Sequence, residues 1–532
     1  MTHHSRNFFP RLILRSFCLI LAFFLAGLIP AIAREEAPAN DARLIEALKS
    51  FIPHVMRQVG TPGLNIALAR RGKVIWEEGF GYANLEKKTP MTPQTVMRSG
   101  SMGKTYTATA VMQLVEQGVI GLFDPINKYL KEFQVINPLG EREITFHDLL
   151  THRGGLSSND AGSDFLPPKP LGQSLKEDYG KKMFKIYEGT VVPRWSSKVG
   201  EKFQYSNFGI ATLGYLVEVT NPEKLSFSEY QQKHIIDPLG MTSTQYPPVQ
   251  DAAHVRPDIF ARVSTGYAQF GPVDIPTPDI FFADFPAGAV VTTPGDHIRL
   301  LLAYLNQGNY NGYQLLKPET VRLMLSPRVD AGSGSAVGLV WVLKNLNKPD
   351  YNFQHGGAHM YGWNNEFRAY PDQDFAIVVA TNHWNVPNPA ERGAKRESQL
   401  ICDFISSWLM REKANYRRTQ PAASWAWKTS YVIGLMIVDS TKGGLGIESP
   451  ITPEMIEAMA VKAKVRTEAE NGASVWDPAG FRAGVKDMMS IRMIPAAIKA
   501  FLESERLQVA PEELDIIFRE LGGSGSFRAF SP

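Results

Sequence analysis

The chain has 532 residues, 44% of them hydrophobic and 20% charged. This is the balance of a globular protein long enough for two to four domains. Lys and Arg number 56 against 53 Asp and Glu, a formal net charge of +3. No basic block or stripe accompanies that small excess, which excludes a nucleic-acid partner.

The chain begins with a basic segment, Arg6, Arg11 and Arg15, followed by the apolar run from Ser16 to Ile29. Pro30-Ala31-Ile32-Ala33 ends in a small-residue cleavage pattern before the polar Arg34-Glu35-Glu36. These features predict a signal peptide over residues 1–33 and a periplasmic or secreted protein. The rival reading is an uncleaved anchor, but the run is short for a span and Pro30 interrupts it. Cleavage would remove three arginines, leave 53 basic and 53 acidic residues, and leave no membrane span. Of the two cysteines, Cys18 falls in the signal segment and Cys402 stands alone. The mature chain therefore relies on its apolar core and not on disulfides.

Asp41 to Gln58 reads as an amphipathic helix carrying Leu44, Leu48 and Phe51. Gly63 to Ala69 and Val74 to Gly79 read as a hairpin around Arg70-Arg71-Gly72-Lys73. Next comes Ser101-Met102-Gly103-Lys104, followed by the apolar stripe Val111, Met112, Leu114 and Val115 and a stop at Gly118. Positions i and i+3 share a helix face, so the Lys104 amine is expected beside the Ser101 hydroxyl. A serine hydroxyl is a poor nucleophile until a base takes its proton. Lysine takes it only when burial or a nearby charge lowers its pKa. Alone, the tetrapeptide equally describes a helix cap and a surface lysine.

Glu143 to His152 reads as a helix capped by Thr145 and ended by Gly154-Gly155. Residues 160–200 read as irregular, with Phe165, Tyr187 and Trp195 interspersed. Such a stretch is either a lid over a site or a solvated insertion. Tyr205-Ser206-Asn207 is placed on a turn before a helix. A tyrosine beside ammonium groups can act as general base, and an asparagine offers both a donor and an acceptor. Tyr82-Ala83-Asn84 and Tyr304-Leu305-Asn306 share the spacing. The first precedes the serine and the second falls late in a helix, so both are set aside.

Thr293-Pro294 is a cap followed by a first-turn proline. His355-Gly356-Gly357-Ala358 enters a strand, where paired glycines let a substrate lie close to the backbone. His355 equally suits a hydrogen-bonded structural histidine. His355 and His359 have metal-like spacing, but on a strand they lie about 13 Å apart. With no third ligand evident, no metal is expected. Asn364 to Arg368 and Phe375 to Ala380 read as strands around Pro371-Asp372-Gln373-Asp374. Residues 411–429 read as a basic, polar linker. Residues 430–532 read as a small, mostly helical region with no ligand cluster, and Tyr431 to Val438 is too short to span a bilayer.

Taken in order, Ser101-x-x-Lys104, Leu149-Leu150-Thr151-His152 with Gly155-Leu156, Tyr205-Ser206-Asn207, Pro238-Leu239-Gly240-Met241 and His355-x-Gly357 resemble the serine beta-lactamase-related family. That family includes class C beta-lactamases, DD-peptidases, D-aminopeptidases and carboxylesterases. Pro286 to Thr293 resembles the family's strand before a late helix. The resemblance covers residues 42–410 and implies an α/β (α+β) fold, an antiparallel sheet flanked by helices with a helical subdomain. It implies Ser101 as acylated nucleophile, Lys104 as its proton acceptor or electrostatic partner, and Tyr205 as general base. It implies Asn207, His355, Gly356, Gly357 and Ala358 as substrate-binding, with the Ser101 and Ala358 amides as oxyanion hole. No cofactor is implied.

One departure bears on the substrate. His-Gly-Gly stands where many penicillin-recognising enzymes carry Lys-Thr-Gly. A histidine neutral near pH 7 is a weaker anchor for a substrate carboxylate than lysine. The expected substrate is therefore an ester, a small amide or a D-peptide. Two alternatives stand beside it: a beta-lactamase or DD-carboxypeptidase, and a non-catalytic relative that binds peptidoglycan or a protein partner.

Overall fold

The computed structural model describes residues 41–418 apart from short stretches within 58, 158–193, 271–280, 333–334, 349, 360–361 and 386–395, together with Val461 and Lys464. The expected signal peptide, Tyr431 to Val438 and nearly all of 430–532 lie outside the described residues. Among the described residues, 41–51 belong to one compact unit and those from Ile52 onward to a second. In the first, residues 41–51 are helical, within α1 (41–57), and Leu44, Leu48 and Phe51 are buried as their spacing predicts.

The second unit is built on a nine-stranded sheet. Its strands are β1 (Gly63–Arg70), β2 (Lys73–Asn84), β3 (Thr89–Pro90), β4 (Val329–Gly332) and β5 (Ser335–Val337). They continue with β6 (Val342–Lys344), β7 (Asn352–His359), β8 (Trp363–Tyr370) and β9 (Phe375–Thr381). The spatial order is β4-β5-β6-β7-β8-β9-β1-β2-β3, with every pairing antiparallel. The two expected hairpins form its centre: β1 pairs with β2, β8 pairs with β9, and β1 pairs with β9 from Leu64↔Thr381 to Arg70↔Phe375. Asp374 closes the β8–β9 turn at φ +45°, a conformation that short polar residues tolerate.

The helices follow as α2 (Lys104–Glu116), α3 (Phe146–Leu150), α4 (Leu171–Gly180), α5 (Asn207–Thr220) and α6 (Phe227–Gln231). Then come α7 (Pro257–Phe260), α8 (Pro294–Leu305), α9 (Pro318–Met324) and α10 (Glu397–Arg418). Their caps are local. Thr145 and Asp148 form a reciprocal capping box at α3, and Thr293 caps α8 ahead of Pro294. Side chains of adjacent strand residues point to opposite faces. Phe367 of β8 meets His297 of α8, while its neighbour Arg368 meets Asp403 of α10. Helices α8 and α10 therefore cover opposite faces. Helix α2 packs against α5, and α3 and α6 also pack on α5, which forms the helical layer beside the sheet.

Three expectations change. Residues 160–200 are not irregular throughout, because α4 occupies Leu171–Gly180 and packs on α5. Pro, Gly and Lys at its edges masked a short amphipathic turn pattern. Within Pro286 to Thr293 only Val291–Thr292 is a strand. Helix α10 continues to Arg418, into the segment expected as linker from 411; lysines and arginines are good helix formers and do not by themselves mark a boundary. No helix among the described residues is long and apolar enough to cross a membrane.

Candidate active site

The segment leading to Ser101 is held on both sides. Met97–Arg98 pairs with Val291–Thr292, and the Ser99 amide donates to the Val290 carbonyl at 2.9 Å. From β8, Asn365 Nδ2 donates to the Arg98 and Ser99 carbonyls at 2.9 and 3.1 Å. The chain then turns at Gly100, φ +57°, into a 3-10 turn over Gly100–Gly103 before α2 opens at Lys104. The serine thus lies one turn ahead of the α-helix rather than inside it. In a 3-10 turn, i and i+3 eclipse, which brings the two side chains together.

Lys104 is fully buried. Its Nζ lies 2.9 Å from Ser101 Oγ and donates to the Ala287 carbonyl at 2.7 Å. A buried amine needs such partners. The Ala287 loop is itself fixed: Thr107 Oγ1 and the Tyr246 hydroxyl both donate to the Pro286 carbonyl.

Tyr205 immediately precedes Ser206, which caps α5 by accepting the Gly209 amide at 3.1 Å. The cap fixes the angle at which the tyrosine leaves the helix. Lys104 Nζ lies 4.9 Å from the centre of the Tyr205 ring. Asn207 is the first residue of α5, and its Oδ1 is buried with no hydrogen-bond partner among the described residues.

His355 stands on β7 opposite Phe367 of β8. Paired residues share a face, so His355 points to the α8 side, where its ring lies 6.3 Å from that of Tyr205. Its Nδ1 lies 2.6 Å from the Gly356 carbonyl. A carbonyl only accepts, so Nδ1 carries the proton and Nε2 is the bare nitrogen. The ring is 4% exposed, and Nε2 is buried without a hydrogen-bond partner among the described residues. Burial first, and then the charge of Lys104, hold this imidazole down to about 4.

The glycines of the motif set the approach of backbones. A Cβ on Gly357 would come within 2.0 Å of the Ser99 carbonyl oxygen, and one on Gly100 within 2.6 to 2.7 Å of the Ala358 backbone. Only glycine allows β7 and the Ser101 turn to lie this close. Gly356, paired with Glu366, faces the α10 side and so lies on the far side of the strand. No cluster of metal-ligating side chains occurs among the described residues.

Ser101, Lys104, Tyr205 and His355 thus converge, with the Ala358 backbone against the Ser101 turn. Sequence reasoning passed over His152. It follows α3, is 3% exposed, and its ring lies 4.6 Å from that of Tyr205. Burial, then the charges of Lys104 and His355, hold it well below the ordinary histidine range. The one local structural signal was the Thr145–Asp148 capping box, which opens the short helix that ends just before His152.

This arrangement can activate a hydroxyl with an adjacent amine and phenol, and two backbones meet beside it. Comparison with known proteins identifies the family and the fold. The family model described as Beta-lactamase matches residues 48–400. Protein flp of Staphylococcus aureus (strain N315) is 24% identical over 345 residues, 64% of each chain, so this chain spans about 64% of the length of that relative. The mouse serine beta-lactamase-like protein LACTB, mitochondrial, is 31% identical over 158 residues, 30% of this chain and 27% of that one. Among solved structures, the octameric penicillin-binding protein homologue from Pyrococcus abyssi superposes with a TM-score of 0.55 at 24% identity, covering 69% of this chain and 77% of that one. EstCE1, a hydrolase with promiscuous acyltransferase activity, superposes with a TM-score of 0.51 at 21% identity, covering 65% and 95%. At these identities the superpositions show the fold. With the family model matched over most of its length, the chain belongs to the beta-lactamase family, whose members are typically serine hydrolases.

Proposed function

We propose that this protein is an exported serine hydrolase that cleaves an ester or small amide through an acyl-enzyme on Ser101. The observation that carries the proposal is the contact of the buried Lys104 amine with Ser101 Oγ beneath the Tyr205 ring. In the proposed reaction, Tyr205 accepts the serine proton, with Lys104 relaying it or stabilising the phenolate. Oγ attacks the substrate carbonyl, and the developing oxyanion is held by the amides of Ser101 and Ala358. Each such donor is worth about 3–4 kcal/mol. The proton then passes to the leaving alcohol or amine as the carbonyl re-forms. A water repeats the cycle on the acyl-enzyme and regenerates Ser101. Asn207 and the His355–Ala358 strand orient the substrate. No metal or cofactor takes part.

His355 supports the choice of substrate. Near neutral pH it is uncharged, because burial holds its pKa down to about 4. Its motif therefore offers no fixed cation to a substrate carboxylate, which disfavours penicillin-like and D-Ala-D-Ala substrates relative to uncharged esters and amides.

The test is a fluorophosphonate probe with a substrate panel. The probe should label the wild type and not Ser101→Ala. A p-nitrophenyl acyl ester should be turned over faster than a chromogenic cephalosporin or a D-Ala-D-Ala peptide. An unlabelled, folded wild type would favour a binding role. Preference for the cephalosporin or the peptide would overturn the substrate assignment.

A further inference from the structure

We propose that His152 is a positioning residue for Tyr205, holding the phenol where it can exchange a proton with Ser101. This rests on the role given to Tyr205 above. Three contacts carry it. The His152 carbonyl accepts the Gln204 amide at 2.8 Å, and His152 Nδ1 accepts the Ser206 amide at 3.2 Å. The amides before and after the tyrosine thus both end on one residue. The His152 ring also packs along the Tyr205 ring, 4.6 Å between centres and 32° from parallel, with Phe203 edge-on behind it.

The chemistry of the imidazole suits this role. A backbone N–H only donates, so Nδ1 must be the bare nitrogen and Nε2 must carry the proton. His355 has the opposite tautomer, because its Nδ1 faces a carbonyl. A protonated His152 would turn Nδ1 into a donor and break the bond to Ser206. Burial and the neighbouring Lys104 oppose that protonation. The backbone is specialised as well. His152 sits at φ +55°, a left-handed conformation that histidine and asparagine enter more readily than most residues. The turn sends its carbonyl and its side chain toward the same three-residue segment.

The same geometry selects the test. An asparagine Oδ1 occupies nearly the position of a histidine Nδ1, accepts an amide, and tolerates the left-handed backbone. Leucine matches the shape but accepts nothing. His152→Leu should lower kcat about 10- to 100-fold, the scale of a misplaced catalytic group. Its KM should stay within about threefold, and its fluorophosphonate labelling rate should fall in parallel, because the lost positioning acts on the chemical step. His152→Asn should keep kcat within about threefold of wild type, as its acceptor is retained.

A folded His152→Leu with wild-type kcat overturns the proposal. So does a folded His152→Asn as impaired as the leucine variant, since a lost acceptor would not then be the cause. If only the asparagine variant folds, its kcat decides. If neither folds, the residue serves stability and the proposal fails. Tyr205→Phe separates this from the reading beneath it. Wild-type turnover by Tyr205→Phe removes the tyrosine's role altogether. An inactive Tyr205→Phe beside a fully active His152→Leu removes only the positioning role.

Discussion

Lys104 Nζ sits 2.9 Å from Ser101 Oγ while the Ala287 carbonyl anchors it from the other side at 2.7 Å. The buried amine is therefore held by two acceptors beside a serine that is itself only partly buried. Lys104→Met keeps the volume and removes the amine beside Ser101 Oγ. We expect at least about a 10³-fold loss of kcat on an ester substrate, by analogy with groups that act as a unit. Stability should fall by about 1–3 kcal/mol, because the Ala287 carbonyl is left without its donor. Steady-state kinetics and urea unfolding measure both, and retained turnover would show that the lysine is not part of the machinery.

Gly100 and Gly118 make a matched pair of left-handed glycines, φ +57° and +71°. A Cβ on Gly100 would press on the Ala358 backbone, whereas nothing lies within 4 Å of one on Gly118. Gly118→Ala should cost only the conformational strain, about 1–2 kcal/mol, with activity intact. Gly100→Ala should cost more and slow labelling of Ser101, because Ala358 must move away from the oxyanion position. Equal labelling rates in the two variants would remove the Ser101–Ala358 pairing as a catalytic element.

Three buried histidines, His152, His297 and His355, are held neutral by burial, with His297 down to about 3 and His355 to about 4. A histidine depressed in the folded state leaves the unfolded chain binding more protons below its ordinary value of about 6.5. Their contribution to stability is thus complete above about pH 6.5 and declines as the pH falls toward 4. Each ring contributes a slope of up to about 1.4 kcal/mol per pH unit. Urea unfolding between pH 7 and 4 should show this loss, and His297→Asn should make the slope shallower. An unchanged slope in that variant would contradict the assignment.

On the far face of the sheet, Arg368 Nη1 meets Asp403 of α10 at 2.6 Å and Nη2 meets Glu366 at 3.0 Å, with all three side chains buried. This group ties α10 to the strand beside the His355 motif. Removing one carboxylate leaves a charge buried without full compensation, so Asp403→Ala should destabilise by about 3–5 kcal/mol. Since Glu366 and Arg368 point away from Ser101, kcat of the protein that remains folded should stay within about threefold, consistent with additivity between distant sites. A selective loss of kcat with unchanged stability would mean that the group acts on the site.

Much of the fold was legible because its signals are local. The strands around Arg70-Arg71-Gly72-Lys73 and Pro371-Asp372-Gln373-Asp374, the Thr145 and Thr293 caps, and the adjacency of Ser101 and Lys104 each depend on a few neighbouring residues. Helix α4 was not legible because it is short and polar, and residues 411–418 read as linker because they are basic and polar, although they continue α10.

The amino-acid order alone determined which residues could be nucleophile and base, and how far Lys104 stands from Ser101, since one turn of backbone sets that distance. It did not determine that Tyr205 and His355 meet them, nor which nitrogen of each imidazole carries a proton. The meeting of Tyr205 and His355 with Ser101 depends on strand register and on a helix layer packed from segments more than a hundred residues apart. The tautomers of His152 and His355 follow from whether an amide or a carbonyl faces Nδ1. Tertiary packing decided this for His152, because its partner comes from a distant segment that no local propensity encodes.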